Sequence, residues 1–242
     1  MGCAQQGRRY QNSPDDCMNS ELNWSMRPPP ELPVLKGRWV AIEPANFPDA
    51  AEALFPLLGG PANADLWTYI PIGPFEQPGQ LAAVMQLMHA REGWQTYLFR
   101  DAATGEPLGM ASYMRIRPAA GSAEVGCVVF SKKLQRTPAA TEAMYLMARH
   151  IFDDLGYRRY EWKCNNANAA SKQAAIRLGF SFEGVFRQDM VMKGKNRDTA
   201  WYSIIDGEWP QVKAGFEAWL APENFDDQGA QRRALKEIRD AM

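Results

Sequence analysis

The segment Ser131-Lys-Lys-Leu-Gln-Arg-Thr-Pro-Ala-Ala-Thr-Glu142 runs from the end of an apolar stretch into a helical pattern that opens near Pro138. A helix N-terminus offers unpaired backbone N–H groups and the positive end of the peptide dipoles, so such a loop is suited to cradle a pyrophosphate. Lys132, Lys133 and Arg136 add positive charge, and the small residues Ala139 and Ala140 allow close approach. A basic loop is also an ordinary way to begin a helix, and both readings stand at this point. A second helix start follows Asn165-Asn-Ala-Asn168, where Asn168 and Ser171 belong to the residue types that cap helices.

Other chemistries find little support. The chain has no Gly-x-Ser-x-Gly elbow and no Gly-x-x-x-x-Gly-Lys-Ser/Thr loop, and neither His89 nor His150 has a recognisable nucleophile or metal partner. Cys3, Cys17, Cys127 and Cys164 lack paired short spacing, so neither a metal site nor a disulfide framework is expected. Cys127 and Cys164 read as small apolar residues within strands.

The elements that must position these residues follow from the hydrophobic periods. Strands are expected at Arg38–Glu43, Trp94–Arg100, Leu108–Arg115, Ala123–Phe130, Arg159–Lys163, Phe182–Val191 and Thr199–Ile205. Helices are expected at Phe47–Leu58, Gln80–Glu92, Pro138–Leu155 and Ala169–Leu178, the last two stopped by Gly156 and Gly179. The loop from Leu66 to Phe75 carries Trp67, Tyr69 and Phe75 among prolines, which suits a core cap or a pocket wall. The sum predicts an α+β fold with one mixed, mostly antiparallel sheet flanked by helices.

Residues 1–34, ending in Pro28-Pro29-Pro30, read as a flexible leader, 35–221 as a single folded domain, and 222–242 as a charged tail forming an exposed helix. The 242 residues include 46% hydrophobic positions, and a net charge of −1 gives no electrostatic case for nucleic acid. With no apolar run of about 18 residues and no secretory h-region, no membrane association is expected, and the chain reads as cytoplasmic.

Glu124-Val-Gly126, the Gln135–Ala140 loop, and Asn168-x-x-Ser171 followed by Arg177-Leu-Gly-Phe180 and Glu183-Gly184 resemble, in order and spacing, the acetyl-CoA motifs of GNAT N-acetyltransferases, nearest to the RimJ/RimL-like group. The resemblance covers roughly Leu35 to Pro210, and its specific part is the Asn-x-x-Ser, Leu-Gly-Phe and Glu-Gly run. It implies a GNAT-like fold and acetyl-CoA as co-substrate, with no metal. Backbone groups of Val128, Val129 and Phe130 would pair with the pantetheine arm as if it were an added strand. Gln135, Arg136, Thr137, Pro138, Ala139, Ala140 and Thr141 would surround the pyrophosphate. Asn168 and Ser171 would face the arm and thiol, although both also serve as plain helix caps.

Acyl transfer from a thioester to an amine needs a neutral amine, a stabilised oxyanion and a proton for the departing thiolate. The resemblance assigns the base to Glu124, the proton donor to Ser171, and the oxyanion donor to a strand N–H near Val128 or Val129. Glu124 is equally readable as a structural glutamate.

Two departures from the family pattern stand out. Pro138 occupies the family's first loop glycine and donates no N–H, although proline suits the first helical position. Where RimL-like relatives carry a second glutamate, nineteen positions past the serine, this chain has Met190. Asp189 beside it is expected on the opposite face unless a bulge intervenes.

The implied reaction is acetyl transfer to a primary amine of a small molecule or a protein N-terminus. The alternative is a non-catalytic CoA-binding or interaction module. The acceptor would meet the Trp67–Phe75 loop and the hairpin around Arg197, Asp198 and Trp201. The segment with Trp209, Phe216 and Trp219 suits either a core edge or a homodimer patch.

Overall fold

The computed structural model describes residues 22–31 and 33–242. Eight strands form one sheet: β1 (Leu35–Lys36), β2 (Val40–Pro44), β3 (Gln95–Asp101), β4 (Pro107–Arg117), β5 (Ser122–Phe130), β6 (Arg159–Asn165), β7 (Ser181–Met192) and β8 (Lys195–Ile205). Their spatial order is β1-β2-β3-β4-β5-β6-β8-β7, and β5 with β6 is the parallel pair in an otherwise antiparallel sheet. The predicted α+β class with one mixed sheet is the observed one.

Helices cover both faces. α1 (Asp49–Leu58) and α2 (Pro78–Glu92) enclose a core with Leu98, Met110 and Val129. α3 (Pro138–Arg149), α4 (Ala169–Leu178), α5 (Trp209–Leu220) and α6 (Leu235–Asp240) close the other face over Tyr113, Val125, Tyr160 and Tyr202. Ten of the twelve α3 residues, Ala139 to Ala148, are buried, so α3 is the central helix. Each large aliphatic side chain so removed from water contributes about 1.5–3 kcal/mol.

Glu142 of α3 fixes one end of this arrangement. Its carboxylate accepts the backbone N–H groups of Arg38, Trp39 and Val40 at 2.7, 2.7 and 3.0 Å, tying β2 to the helix. A buried carboxylate is tolerated when charge-assisted bonds saturate it.

Several expectations are corrected. The helix from Pro138 leaves α geometry at His150, where a π-helical turn (His150–Asp154) begins and Leu155 N–H reaches the His150 carbonyl. α5 was not foreseen, and its Trp209, Phe216 and Trp219 are buried in the core, which rules out those side chains as a dimer patch. The tail is helical over Leu235–Asp240, but Leu235 and Ile238 are buried, so its helix docks instead of lying exposed.

Part of the expected leader, 1–21 and Leu32, lies outside the described residues. The part that is described is held, not free. Trp24 Nε1 donates to the Ala119 carbonyl at 2.8 Å, Arg27 Nε to the Gly156 carbonyl at 3.1 Å, and the Tyr157 hydroxyl to the Pro28 carbonyl at 3.0 Å. Proline lowers the entropy lost on docking, so an extended Pro-rich segment packs with few contacts.

Candidate functional site

β5 and β6 pair only from Ser122 opposite Arg159 to Val125 opposite Trp162. Beyond that rung the strands part. The cause lies on the far side of β5. Against β4, Met110 faces Val129 and Ser112 faces Gly126, so two β5 residues stand opposite Ala111 in a bulge, and Cys127 takes a φ of 47°. Such a conformation costs a non-glycine residue about 1–3 kcal/mol and bends the strand.

The bend leaves an unpaired backbone edge. The Val129 carbonyl points at Gly109, where a Cβ would come within 2.6 Å of it, and Ser131 N–H bonds to the Leu108 carbonyl. Peptide groups alternate along a strand, so Val128 and Phe130 turn toward the gap. Val129 is therefore the exception among the three expected strand-pairing residues, because its polar groups are turned to β4. The Phe130 carbonyl accepts Gln135 Nε2 at 3.0 Å, which leaves Val128 as the open rung.

Helices α3 and α4 each follow one of the parting strands, so both N-termini open at the carboxyl end of the parallel pair. Ligands to α/β sheets bind at that end. Pro138 occupies the first turn of α3, and Thr137 Oγ1 accepts the Ala140 N–H at 3.2 Å. Arg136 has a φ of 63°, turning the chain just before this cap. Thr141 is buried, and its hydroxyl accepts Arg177 Nη1 at 3.0 Å. On α4, Asn168 Oδ1 accepts Ser171 N–H at 3.1 Å, so the capping role of Asn168 is realised. Trp162 Nε1 donates to Ser171 Oγ at 3.0 Å.

Glu124 lies on the opposite sheet face from Trp162 and is 3% exposed. Its Oε2 pairs with Lys163 Nζ at 2.9 Å and with Arg115 Nε at 3.7 Å. Its Oε1 lies toward Gly126, within 3.1 Å of where a Cβ would stand. A side chain there would clash first with the Met114 thioether and then crowd the carboxylate, so glycine at 126 makes room for both. Burial raises the Glu124 carboxyl above the ordinary value, opposed by Lys163 and Arg115 and reinforced by Glu161.

Glu161, directly across the parallel rung, is held by Arg117 at 2.6 Å and Arg159 at 2.7 Å. Arg159 continues to Glu183 at 2.6 Å. Sequence reading missed Lys163, Arg115 and Glu161, whose only signal is alternate charges on otherwise apolar strands.

Asp189 lies within an irregular stretch of β7. Between Phe186 and Met190, β7 places three residues opposite Asp198 alone, and Gln188 takes a φ of 52°. The bulge named as a condition is present, and Asp189 acts electrostatically on the buried Arg197. Trp67 and Phe75 are buried core residues, while Tyr69 remains partly exposed. Lys193, at the β7–β8 turn, donates to the Trp67 carbonyl at 2.7 Å, so the hairpin reaches across to that loop. Among the described residues no group of His, Cys, Asp and Glu is arranged to hold a metal, and no helix is long and apolar enough to cross a membrane.

Over residues 42–181, which include the parted parallel pair and the start of both helices, the chain matches the family described as acetyltransferase (GNAT) domain. The chain belongs to the GNAT acetyltransferase family. A curated relative, the ribosomal-protein-serine acetyltransferase of Escherichia coli, is 30% identical over 104 residues, covering 43% of this chain and 58% of that relative. A GCN5-related N-acetyltransferase from Brucella melitensis superposes with a TM-score of 0.85 at 42% identity, covering 90% of this chain and 99% of the other. A probable GNAT acetyltransferase from Chromobacterium violaceum gives 0.74 at 35% identity, over 84% and 99% of the two chains.

Proposed function

We propose that this GNAT protein transfers an acetyl group from acetyl-CoA to a primary amine, by direct attack when both are bound. The observation that carries the reading is the gap beyond Val125, with Val128 as an open rung on one side and Glu124 Oε1 at its throat.

The gap fits the co-substrate. An extended pantetheine arm offers amides that match an unpaired strand edge, and Val128 and Phe130 present one. The Gln135 side chain must release the Phe130 carbonyl for the second rung to form. Arg136, Thr137, Ala139 and Ala140 stand at the positive end of α3, where a pyrophosphate is stabilised. Pro138 sets the helix without using an N–H, and Thr141 shapes the first turn through Arg177. Acetyl-CoA supplies the activated acyl group, and the remaining work falls to the protein.

Glu124 takes the proton from the incoming ammonium, directly or through water, and its raised affinity for protons suits a base acting near neutrality. The Val128 N–H supports the negative charge developing on the thioester oxygen. Ser171 gives its proton to the departing sulfur, and the proton released from the nitrogen as the amide forms restores the serine hydroxyl. The Trp162 indole can only donate, so it occupies a lone pair of Ser171 and does not take up the hydroxyl proton, which also lies within reach of the Cys164 sulfur. Asn168 holds Ser171 at the helix start. The acceptor is an amine of a small molecule or a protein N-terminus, the latter suggested by the Escherichia coli relative's name.

Calorimetric titration with acetyl-CoA and CoA, followed by thiol release against a panel of amines, tests this reading. Saturable micromolar binding with turnover is expected. Absence of binding overturns it, and binding without turnover on any amine overturns the catalytic part.

A further inference from the structure

Glu124 is surrounded by charge from three strands. Lys163 and Glu161 face it from β6, Arg115 from β4, and Arg197 acts on it from β8. The arrangement is not symmetrical about the carboxylate. Lys163 Nζ and Arg115 Nε both lie on Oε2, at 2.9 and 3.7 Å, whereas Oε1 is turned toward Gly126 beside the Met114 thioether, with no cation on it.

Both cations rest on one ring. Lys163 Nζ stands 4.9 Å and the Arg115 guanidinium 5.1 Å from the centre of Trp201. Trp201 is opposite Lys163 in the β6–β8 register, and the Phe186 ring lies against it at 4.9 Å. The lysine side chain is 18% exposed and the glutamate side chain 5%, so water screens this pair little. A cation over an indole face is attracted by the ring quadrupole and loses freedom to swing away.

We propose that Lys163, seated on Trp201, is a positioning residue that anchors Oε2 of Glu124 and sets the pH at which this carboxylate ionises, leaving Oε1 as the proton-accepting atom. The inference rests on the reading of Glu124 as base. The physical logic is a balance. Burial raises the carboxyl above its ordinary value. The Lys163 ammonium at 2.9 Å opposes that rise by favouring the ionised form. Holding the cation on one oxygen also prevents the carboxylate from rotating its lone pairs away from the gap.

Arginine in place of lysine keeps the charge, and methionine keeps the apolar stem on Trp201 without it, so Lys163→Arg and Lys163→Met separate charge from packing. The test is to follow the Glu124 side-chain carboxyl by carbon NMR across pH, assigned by its loss in Glu124→Gln, alongside kcat/KM against pH. In Lys163→Met the Glu124 midpoint is expected to rise by about one pH unit or more, a tenfold change in its ionisation equilibrium. The rising limb of the rate profile should move with it, activity should recover at alkaline pH, and acetyl-CoA binding should stay within about twofold. Lys163→Arg should restore most of the neutral-pH rate.

An unmoved Glu124 midpoint in Lys163→Met overturns the proposal. If the NMR midpoint rises while the rate profile stays in place, Lys163 does set Glu124, and it is the assignment of Glu124 as base that fails.

Discussion

Trp162 Nε1 donates to Ser171 Oγ at 3.0 Å, linking the last paired rung of β6 to the first turn of α4. The contact fixes the hydroxyl where the two parallel strands part, with its proton uncommitted by the indole. Ser171→Ala is therefore expected to lower kcat by roughly a hundredfold, while calorimetry finds acetyl-CoA affinity within about twofold of the parent. An unchanged kcat removes Ser171 as proton donor. Trp162→Phe, which frees the hydroxyl to rotate, should give a smaller loss in the same assay.

Glu124→Gln keeps the shape and removes the proposed base. A loss of about 10²–10⁴ in kcat/KM is expected, the usual contribution of a positioned acid or base. The parent enzyme's rate should rise with pH through a midpoint above the ordinary carboxyl value of 4.5, because burial raises this group. The variant's residual rate should lack that rise, and a parent-like profile would send the base role elsewhere.

Arg136 precedes α3 and carries the charge nearest its N-terminus. Arg136→Ala should weaken CoA binding by roughly tenfold, the scale of one charge-assisted bond. Binding of a pantetheine analogue without the pyrophosphate should barely change. Equal losses for both ligands would contradict the pyrophosphate assignment.

Glu142 tests the scaffold and not the chemistry. Glu142→Ala strands three backbone N–H groups of Arg38, Trp39 and Val40. Each buried unsatisfied donor costs about 1–3 kcal/mol, partly recovered by water, so urea unfolding should report a loss of roughly 3 kcal/mol. A change under about 1 kcal/mol would mean β2 holds its place without this carboxylate.

Glu183 should make the protein sensitive to acid. Arg159 and Ser203 hold its carboxyl below the ordinary value of 4.5. A lowered folded value stabilises the protein above the unfolded value, and that contribution is lost as pH falls through the folded one. Melting temperature should fall on acidification below about pH 4.5 in the parent, and less steeply in Glu183→Gln. Identical slopes would show that the Arg159 pair does not contribute.

What could be read from the sequence was local. Pro138 at the first turn of α3, the Asn168 cap of α4 and the period-2 runs of β3 to β6 depend on residues within a turn or two of one another. Glu124 and Ser171 stood out through the resemblance to the family motifs, which are themselves short runs of neighbouring residues. The missed residues depend on which strands lie alongside. Lys163 meets Glu124 only because β6 runs parallel to β5, and Trp201 meets Lys163 only because β8 inserts before β7.

The order and type of the elements, the capped helix starts and the family motif were thus determined by the chain itself, since short-range sterics and hydrogen bonding decide them. The gap was decided by the tertiary structure. It exists because Cys127 bulges against β4 and bends β5 away from β6, and a bulge is chosen by the register of two strands, not by the residues of one. The same holds for the β7 bulge that contains Asp189, and for Trp209, Phe216 and Trp219, whose burial was settled by the helices packed against them. Register and burial are properties of neighbours brought together by folding, and no single segment encodes its neighbour.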